Sequence, residues 1–465
     1  MPDRNERGVY NWYGNIKCHD GAPVAPRDAS HLAAILQDPD RYPTPVRPAG
    51  SRHSVTPCMA ARAVGGSERW GTVVDMSQLK GPLEVDEAAG TVTVPVGRTF
   101  LDVSHELWEK HGKQLHVITE LGPLTMGAAA CGATKESSFP GEYGQVGSYV
   151  VGMRLVKPNG EICELTEKDP DFAALRCSYG LFGIVSAVTF EIARHEYISI
   201  EHEELRLQDF ERRSKQWLDG RTSVFLYLFP YANRIVAELR RKMGTHGREQ
   251  SLLALKLRNY FWREGAPLLA RLADLLPRPQ PRKLVLDLDD LLLRKFLVHL
   301  LKLRRVHPAR QIVDFEKGAS RFTFSMWAFP AAEFPGILSK YFDFCREHQA
   351  KQGIRFNLPD ASYHIAKDRS SLLSYSYDSD VWTLDPVSTG TEGGWDEFLR
   401  EFNDRCSDWG GVPLLNQTPH LTRAQVRKAF GERLDRFEEA RRRFDPDNRM
   451  VNEYFAELLG LERAS

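Results

Sequence analysis

A histidine after a glycine turn, a run of small residues, and a strand bearing a phenol, an imidazole and an amine carry the chemistry legible in this chain. Arg47–Ser54 reads Arg-Pro-Ala-Gly-Ser-Arg-His-Ser. Gly50 lets the backbone turn tightly and approach a ligand. Ser51, Ser54 and successive backbone N–H groups can form an anion-binding nest suited to a pyrophosphate. His53, at the loop end, is a candidate nucleophile; its plainer reading is a surface loop histidine. The loop is not G-x-G-x-x-G, which disfavours a Rossmann nucleotide site. Further on, Gly122–Gly132 reads Gly-Pro-Leu-Thr-Met-Gly-Ala-Ala-Ala-Cys-Gly. Its small side chains let a flat ligand lie against backbone, or else make a close-packed turn. Cys131 in that run reads as packing. Ala361–Asp368 carries Tyr363, His364 and Lys367. A phenol or an imidazole can exchange protons with a hydroxyl or amine. Alternation turns Tyr363 and His364 to opposite sides, favouring Tyr363 with Lys367 on its face. Core or surface packing is the alternative.

The elements that must position these groups are mostly short. Residues 29–37 predict a helix. The segment 43–54 runs from a strand into the first loop. Residues 70–79 predict a buried strand, and 91–97 an alternating strand ending at Gly97. Residues 99–112 predict an amphipathic helix. Val150–Leu165 predicts two strands joined at Pro158-Asn159-Gly160, a strong hairpin signal. Residues 171–193 predict a helix, a glycine turn and a strand. Beyond 196, strands are expected at 223–230, 234–242, 321–330 and 370–388, with helices at 334–349 and from 424 to Asp445-Pro446. Residues 251–310 hold 13 Lys/Arg against 5 Asp/Glu, a local balance of +8. This Leu-rich stretch is helical in pattern and broken at 277–283.

Lys+Arg and Asp+Glu both total 62, which disfavours a general nucleic-acid binder. The 7 cysteines are scattered and form no CxxC pair, so a reducing, cytosolic environment fits better than a disulfide framework. No metal-ligand spacing is present. The N-terminus is polar, and no uncharged apolar run reaches the roughly 18 residues of a membrane span. The expectation is a soluble, cytoplasmic protein. At 465 residues, more than one packed unit is expected.

The loop Gly50, Arg52, His53, Ser54 resembles the flavin-attachment loop of the vanillyl-alcohol oxidase superfamily, whose members carry a PCMH-type FAD-binding domain. The aldonolactone and alditol oxidase branch looks most similar. The small-residue loop, Val150–Val156 with its Pro-Asn-Gly turn, and Gly183-Ile-Val-Ser-Ala-Val-Thr189 follow in the same order over about 170 residues. The resemblance implies FAD, bonded through His53 to the flavin 8α-methyl, and held by Pro48, Ala49, Gly50, Ser51, Arg52, Ser54, Met126, Gly127, Cys131, Gly132, Thr134 and Lys135. It places Ile184 and Val185 at the adenine half. Where the oxidases show Gly-Thr-His-Gly, this chain has Gly132-Ala-Thr-Lys135, so Thr134 or Lys135 stands in for a histidine near the flavin. Phe444–Tyr454, with Asn452, resembles the closing segment of the same branch. Pro419-His-Leu-Thr-Arg423 resembles its Pro-His-Trp-Gly-Lys, which implies His420 at the cofactor and Arg423 as a fixed positive charge. The plainer reading of Arg423 is a surface charge starting a helix. The strand carrying Glu and Arg in alditol oxidases has Tyr363 or His364 at the Arg position and lacks the Glu, which argues against a polyol or sugar-lactone substrate.

The expected fold class is α+β. A PCMH-type FAD-binding domain of two subdomains spans 1–195. A substrate or cap domain with an antiparallel sheet spans 196–410 and contains the basic Leu-rich insertion 251–306. A segment 411–465 returns to the flavin site. The expected function is an FAD-dependent oxidoreductase, an oxidase by class. It would pass hydride from the CH–OH of a small, even apolar, substrate to flavin N5, and then electrons to O2 or another acceptor. Catalytic candidates are Tyr363, His364, Lys367 and Arg423. The alternative keeps the fold but oxidises a C–N or C–C bond, as an amine oxidase or desaturase does. A flavin-binding protein with a decayed site is the non-enzymatic reading. The insertion packs as an ordinary amphipathic element, or else serves as a lid or a peripheral membrane contact.

Overall fold

The computed structural model describes residues 8–65, 69–220, 222–245, 253–276, 279–300, 306–310, 322–390 and 393–461. Of the expected insertion, 251–252, 277–278 and 301–305 lie outside the described residues, as do Arg321 and residues 391–392.

The first helix, Ala29–Gln37, starts at Asp28, whose carboxylate accepts from His31 N. Val46–Ala49 pairs in parallel with Thr72–Asp75, and the first loop leaves the end of this pair. A six-stranded antiparallel sheet follows, with Ile184–Arg194 at its centre. That strand is flanked by Thr91–Pro95 and Val150–Val156, and its far end pairs with Lys113–Leu115. Alternation decides the faces: Val92 and Val94 are buried while Thr91 and Thr93 are half-exposed. The predicted hairpin forms with Val156 opposite Ile162, and Gly160 turns it at φ 86°. The predicted helix at 99–112 runs as Phe100–Glu106 plus a wider turn to His111, and Gly112 ends it at φ 62°.

The second unit is an eight-stranded antiparallel sheet. Its order is Val306–Pro308, Tyr197–Arg206, Arg234–Gly244, Ser223–Phe229, Asp360–Ile365, Val381–Leu384, Trp327–Pro330, Val412–Pro413. Helices Phe210–Asp219, Phe334–Gln352 and Trp395–Asp408 pack on one face around Trp327, Trp382 and Phe398. The other face, through Phe225, Tyr227 and Phe229, meets Ala266, Ala270, Leu293 and Leu297 of the insertion.

Two long strand expectations are corrected. Only Val381–Leu384 and Val387–Ser388 of 370–388 are strand. Ser374 and Ser376 instead turn inward, where both hydroxyls accept from Gln145 Nε2 at 2.8 and 3.0 Å. Residues 322–330 form two strands, broken at Ser325-Met326, where Ser325 N bonds to Pro386 O. The helix from 424 is also broken: Gly431, at φ 52°, divides Arg423–Phe430 from Glu432–Phe444. After it the chain returns to the first loop, with Val46 N bonded to Arg449 O and Glu453 N to Arg62 O. All seven cysteines are free thiols.

Candidate active site

The first loop is fixed from below by Arg47. Its buried guanidinium donates to the carbonyls of Cys58, Tyr179, Gly180 and Met450, so one cation joins four chain segments. Burial lowers its pKa to about 10, still charged at neutral pH. Above it the two loops close on each other. A Cβ at Gly50 would stand 2.0 Å from Thr125 Oγ1, so only glycine allows this approach. Ser51 Oγ donates to Pro123 O across the same gap. Arg52 adopts φ 63°, and its carbonyl accepts from Trp12 N at 2.7 Å. The Trp12 ring then lies 5.2 Å from that of His53.

The small-residue run forms the short helix Met126–Cys131, with Ala129 and Ala130 buried. A Cβ at Gly127 would meet Val96 at 2.9 Å, and one at Gly132 would meet Ala128 O at 2.8 Å. The backbone here is pressed between its neighbours, which leaves its other side open to a cavity of about 390 Å³. The expected cofactor residues Pro48, Ala49, Gly50, Arg52, His53, Ser54, Gly127, Cys131, Gly132, Thr134, Lys135 and Val185 line it. Burial raises the Cys131 thiol to about 11, so it is held as a neutral packing group.

Charged side chains enter the cavity from both units. Lys135 Nζ lies 2.9 Å from Asp385 Oδ2, both side chains almost fully buried, and 4.7 Å above the Tyr363 ring. Burial pushes the Asp385 carboxyl up, and the Lys135 charge opposes that rise. The Tyr363 phenol is pushed well above its usual range by burial, with the charges of Glu136, Glu120 and Asp385 adding to it. Beside them lies an ion network. Arg240 bonds Glu120 at 2.7 Å, Glu136 at 3.0 Å and Glu238 at 2.7 Å, and Arg258 bonds Glu238 at 2.8 Å. Buried ions persist only when so paired. Burial lifts Glu136 to about 7 against the pull of Arg240, while Arg258 and Arg240 overcome burial to hold Glu238 well below the usual carboxylate range.

Several expected residues lie elsewhere. Tyr363 lines the cavity, but His364 points into the helical core, its ring 5.0 Å from Trp382. Lys367, expected beside Tyr363, is exposed beyond the strand's end at Ile365, so strand alternation does not carry that far. Arg423 is exposed at the start of its helix, where a Cβ on Gly460 would strike its guanidinium. Thr422 and Gln425 make the capping box that sets this position. His420, at φ 61°, bonds Asp396 Oδ1 at 3.0 Å rather than facing the cavity. Asn452 is buried beneath the loop, donating to the carbonyls of Pro57 and Ala60 and capping the helix Glu453–Leu459. Ser51, Met126 and Ile184, expected at the cofactor, are not part of the cavity lining. The sequence reading missed Asp385, Glu120, Glu136 and Arg258, whose only available signal was charge in segments otherwise rich in apolar residues.

The residues fit FAD. Gly50, Gly127 and Gly132 expose backbone to the cavity, and its volume lies within the roughly 300–1,000 Å³ of small-molecule sites. Three buried polar atoms on its lining, Thr119 Oγ1, Asp385 Oδ1 and Asn416 Oδ1, have no hydrogen-bond partner among the described residues, as expected where a ligand supplies one.

Comparison with known proteins agrees with this geometry. Residues 22–166 match the family described as FAD binding domain, and residues 188–458 match D-arabinono-1,4-lactone oxidase. Over 454 residues the chain is 23% identical to L-gulono-1,4-lactone dehydrogenase of Mycobacterium tuberculosis, in both strains CDC 1551 / Oshkosh and ATCC 25618 / H37Rv. That match covers 97% of this chain and 98% of the relative. Among solved structures, cholesterol oxidase from B. sterolicum superposes with a TM-score of 0.72 at 16% identity, covering 97% of this chain and 96% of that one. A solvent-stable cholesterol oxidase gives 0.68 at 16% identity, with 98% of each covered. At these identities the two structures speak for the fold alone.

Proposed function

The chain belongs to the D-arabinono-1,4-lactone oxidase family and is an FAD-linked oxidoreductase acting on a CH–OH group, and from that premise we propose a covalent flavin on His53 and a proton-handling cluster of Lys135, Asp385 and Tyr363. The observation that carries this reading is the buried Lys135–Asp385 pair, with the Lys135 ammonium over the Tyr363 ring, in the same cavity as His53. When bound, FAD takes up at N5 the hydride that leaves the substrate carbon. The protein's task is the other half of the oxidation, removal of the hydroxyl proton.

Asp385 is suited to accept that proton. Burial raises its basicity, Lys135 keeps it ionised, and its Oδ1 has no partner among the described residues. Tyr363 stays a neutral phenol and can donate a hydrogen bond that orients the substrate oxygen. Phe225, Phe322, Phe324 and Leu358 exclude water and offer an apolar surface to a ring. Sugar lactones, for which both the family and the mycobacterial relative are named, are the first substrates to examine, because a compact ring with secondary hydroxyls suits a cavity with one ionic corner. The strand Asp360–Ile365 lacks the Glu and Arg of alditol oxidases, and the buried Lys135–Asp385 pair is what supports examining lactones in their absence.

Electrons then pass to O2 or another acceptor. The test is anaerobic mixing of the yellow protein with D-arabinono- and L-gulono-1,4-lactone and simple secondary alcohols. Bleaching of the flavin band is expected; no bleaching with any of them would sink the proposal. Acid-precipitated wild type should give a yellow pellet and His53→Ala a colourless one.

A further inference from the structure

The insertion helices face the wrong way for water. In Ala266–Asp274 the buried positions are Ala266, Ala270 and Ala273, while Leu268, Leu272 and the following Leu275 are exposed. In Pro279–Lys295, Leu286 and Leu293 are buried, yet Leu284, Leu288, Leu291 and Leu292 stand out at spacings of four, seven and eight from Leu284. That spacing puts all four on one helical face. Leu257 and Tyr260 are likewise exposed on the preceding helix. Of the twelve exposed large apolar side chains among the described residues, nine fall within 257–292, so the exposure is one region rather than scatter. Leu275 is 78% and Leu284 70% exposed. A water-facing helix with alanines inside and leucines outside leaves its larger apolar groups hydrated, and that cost calls for a partner.

Charge says what the partner is. The stretch 251–310 carries +8, and three of its five acids are paired or buried. Asp287 and Asp290 pair with Arg355, and Asp289 is buried. Lys256, Lys283 and Lys295 remain exposed among the leucines. Leucines and lysines sharing an exposed helical surface match the boundary of an anionic bilayer, whose headgroups meet the cations while its acyl chains take up the apolar side chains. No described helix is long and apolar enough to cross a membrane, so the contact is one leaflet deep.

We infer that the helices at 253–295 dock the protein peripherally on an anionic lipid surface through Leu268, Leu272, Leu284, Leu288 and Leu292. The same helices contribute Arg258 and Pro267 to the cavity wall, so a docked bilayer lies next to the cap side of the site. Reagents dissolved in the membrane would then meet the enzyme beside its cavity.

The test uses purified holoenzyme without substrate, so it does not depend on which alcohol is oxidised. Co-sedimentation is measured with phosphatidylglycerol–phosphatidylcholine vesicles and with phosphatidylcholine vesicles. Binding to the anionic vesicles alone, weakening as salt is raised, is the expected result. Leu288→Glu and Leu272→Glu should each lower the partition about tenfold or more, whereas Ile162→Glu, at an exposed site on the other unit, should leave it unchanged. Lys256→Glu with Lys283→Glu should remove the preference for anionic lipid. Flavin content and circular dichroism check folding, and Leu288→Ser serves if the glutamate variants fold poorly. Absence of vesicle binding, or binding that the leucine variants do not alter, overturns the inference. So does light scattering that shows a dimer dissociated by Leu288→Glu, since the face would then join two copies of the chain.

Discussion

One wall of the cavity is made of backbone and the other of ionised side chains. On the FAD-binding side, Gly50, Gly127 and Gly132 bring main chain to the ligand because no side chain fits between the loops. On the charged side, Lys135 and Glu136 from one stretch meet Asp385 and Arg258 from two distant ones, and their ion pairs hold these charges out of water. The first wall suits a constant cofactor, whose recognition needs shape. The second suits a chemical step, which needs charge placed to about an ångström. Damage to the first should therefore abolish cofactor loading, while damage to the second should leave a yellow but slow protein.

The largest effect is expected at Gly50. Gly50→Ala drives a methyl into buried Thr125, and flavin bound per chain, read from absorbance, should fall more than about tenfold. Adding Thr125→Ala removes the struck Oγ1, leaving only the Cβ at 3.2 Å, and should restore loading; failure of that rescue would mean that Gly50 serves something other than the close approach. Next is Asp385→Asn. It should keep the flavin yet lower kcat/KM by about 10²–10⁴. It also strands the buried Lys135 charge, at a cost of about 3–5 kcal/mol. Lys135→Met with Asp385→Asn should recover melting temperature but not turnover, which separates the chemical role of the pair from its structural one.

The same contrast explains what could be read in the chain. The backbone wall was legible because close approach forces glycine and alanine into contiguous runs, as in Gly122–Gly132. The fold was legible where alternation or a turn signal was local, as at Val92, Val94 and Gly160. Asp385 was invisible because one carboxylate among 62 acidic residues carries no mark until folding sets it 2.9 Å from Lys135. The serines at 370–376 imitated a strand because alternation of serine with apolar residues does not reveal that the hydroxyls bond inward. In the insertion, alanine and leucine both count as apolar, so helical periodicity alone could not say which of them faced the core.

Smaller effects are expected at residues flanking the second wall. Tyr363→Phe removes only a hydroxyl and should lower kcat/KM about tenfold with flavin content unchanged. Lys367→Ala and Arg423→Ala remove exposed cations away from the cavity, and turnover within about twofold of wild type is expected for both. A larger loss at either would return it to the site and move the boundary of the ionic wall.

His364, beside Tyr363 in the chain, should leave turnover nearly untouched and show itself only through pH. Its ring is packed against Trp382, and burial lowers its pKa from 6.5 to about 4. The unfolded chain therefore binds a proton over that interval which the folded protein refuses. Stability is fully present above pH 6.5 and is lost as pH falls toward 4, by up to about 3 kcal/mol. His364→Phe keeps an aromatic ring on Trp382 and removes the titration, so its melting temperature should fall less steeply between those values than that of wild type. Equal slopes would mean that another group dominates acid unfolding. A tenfold loss of activity in this variant at neutral pH would mean that the core behind the cap sheet, and not only its cavity face, takes part in holding Tyr363 in place.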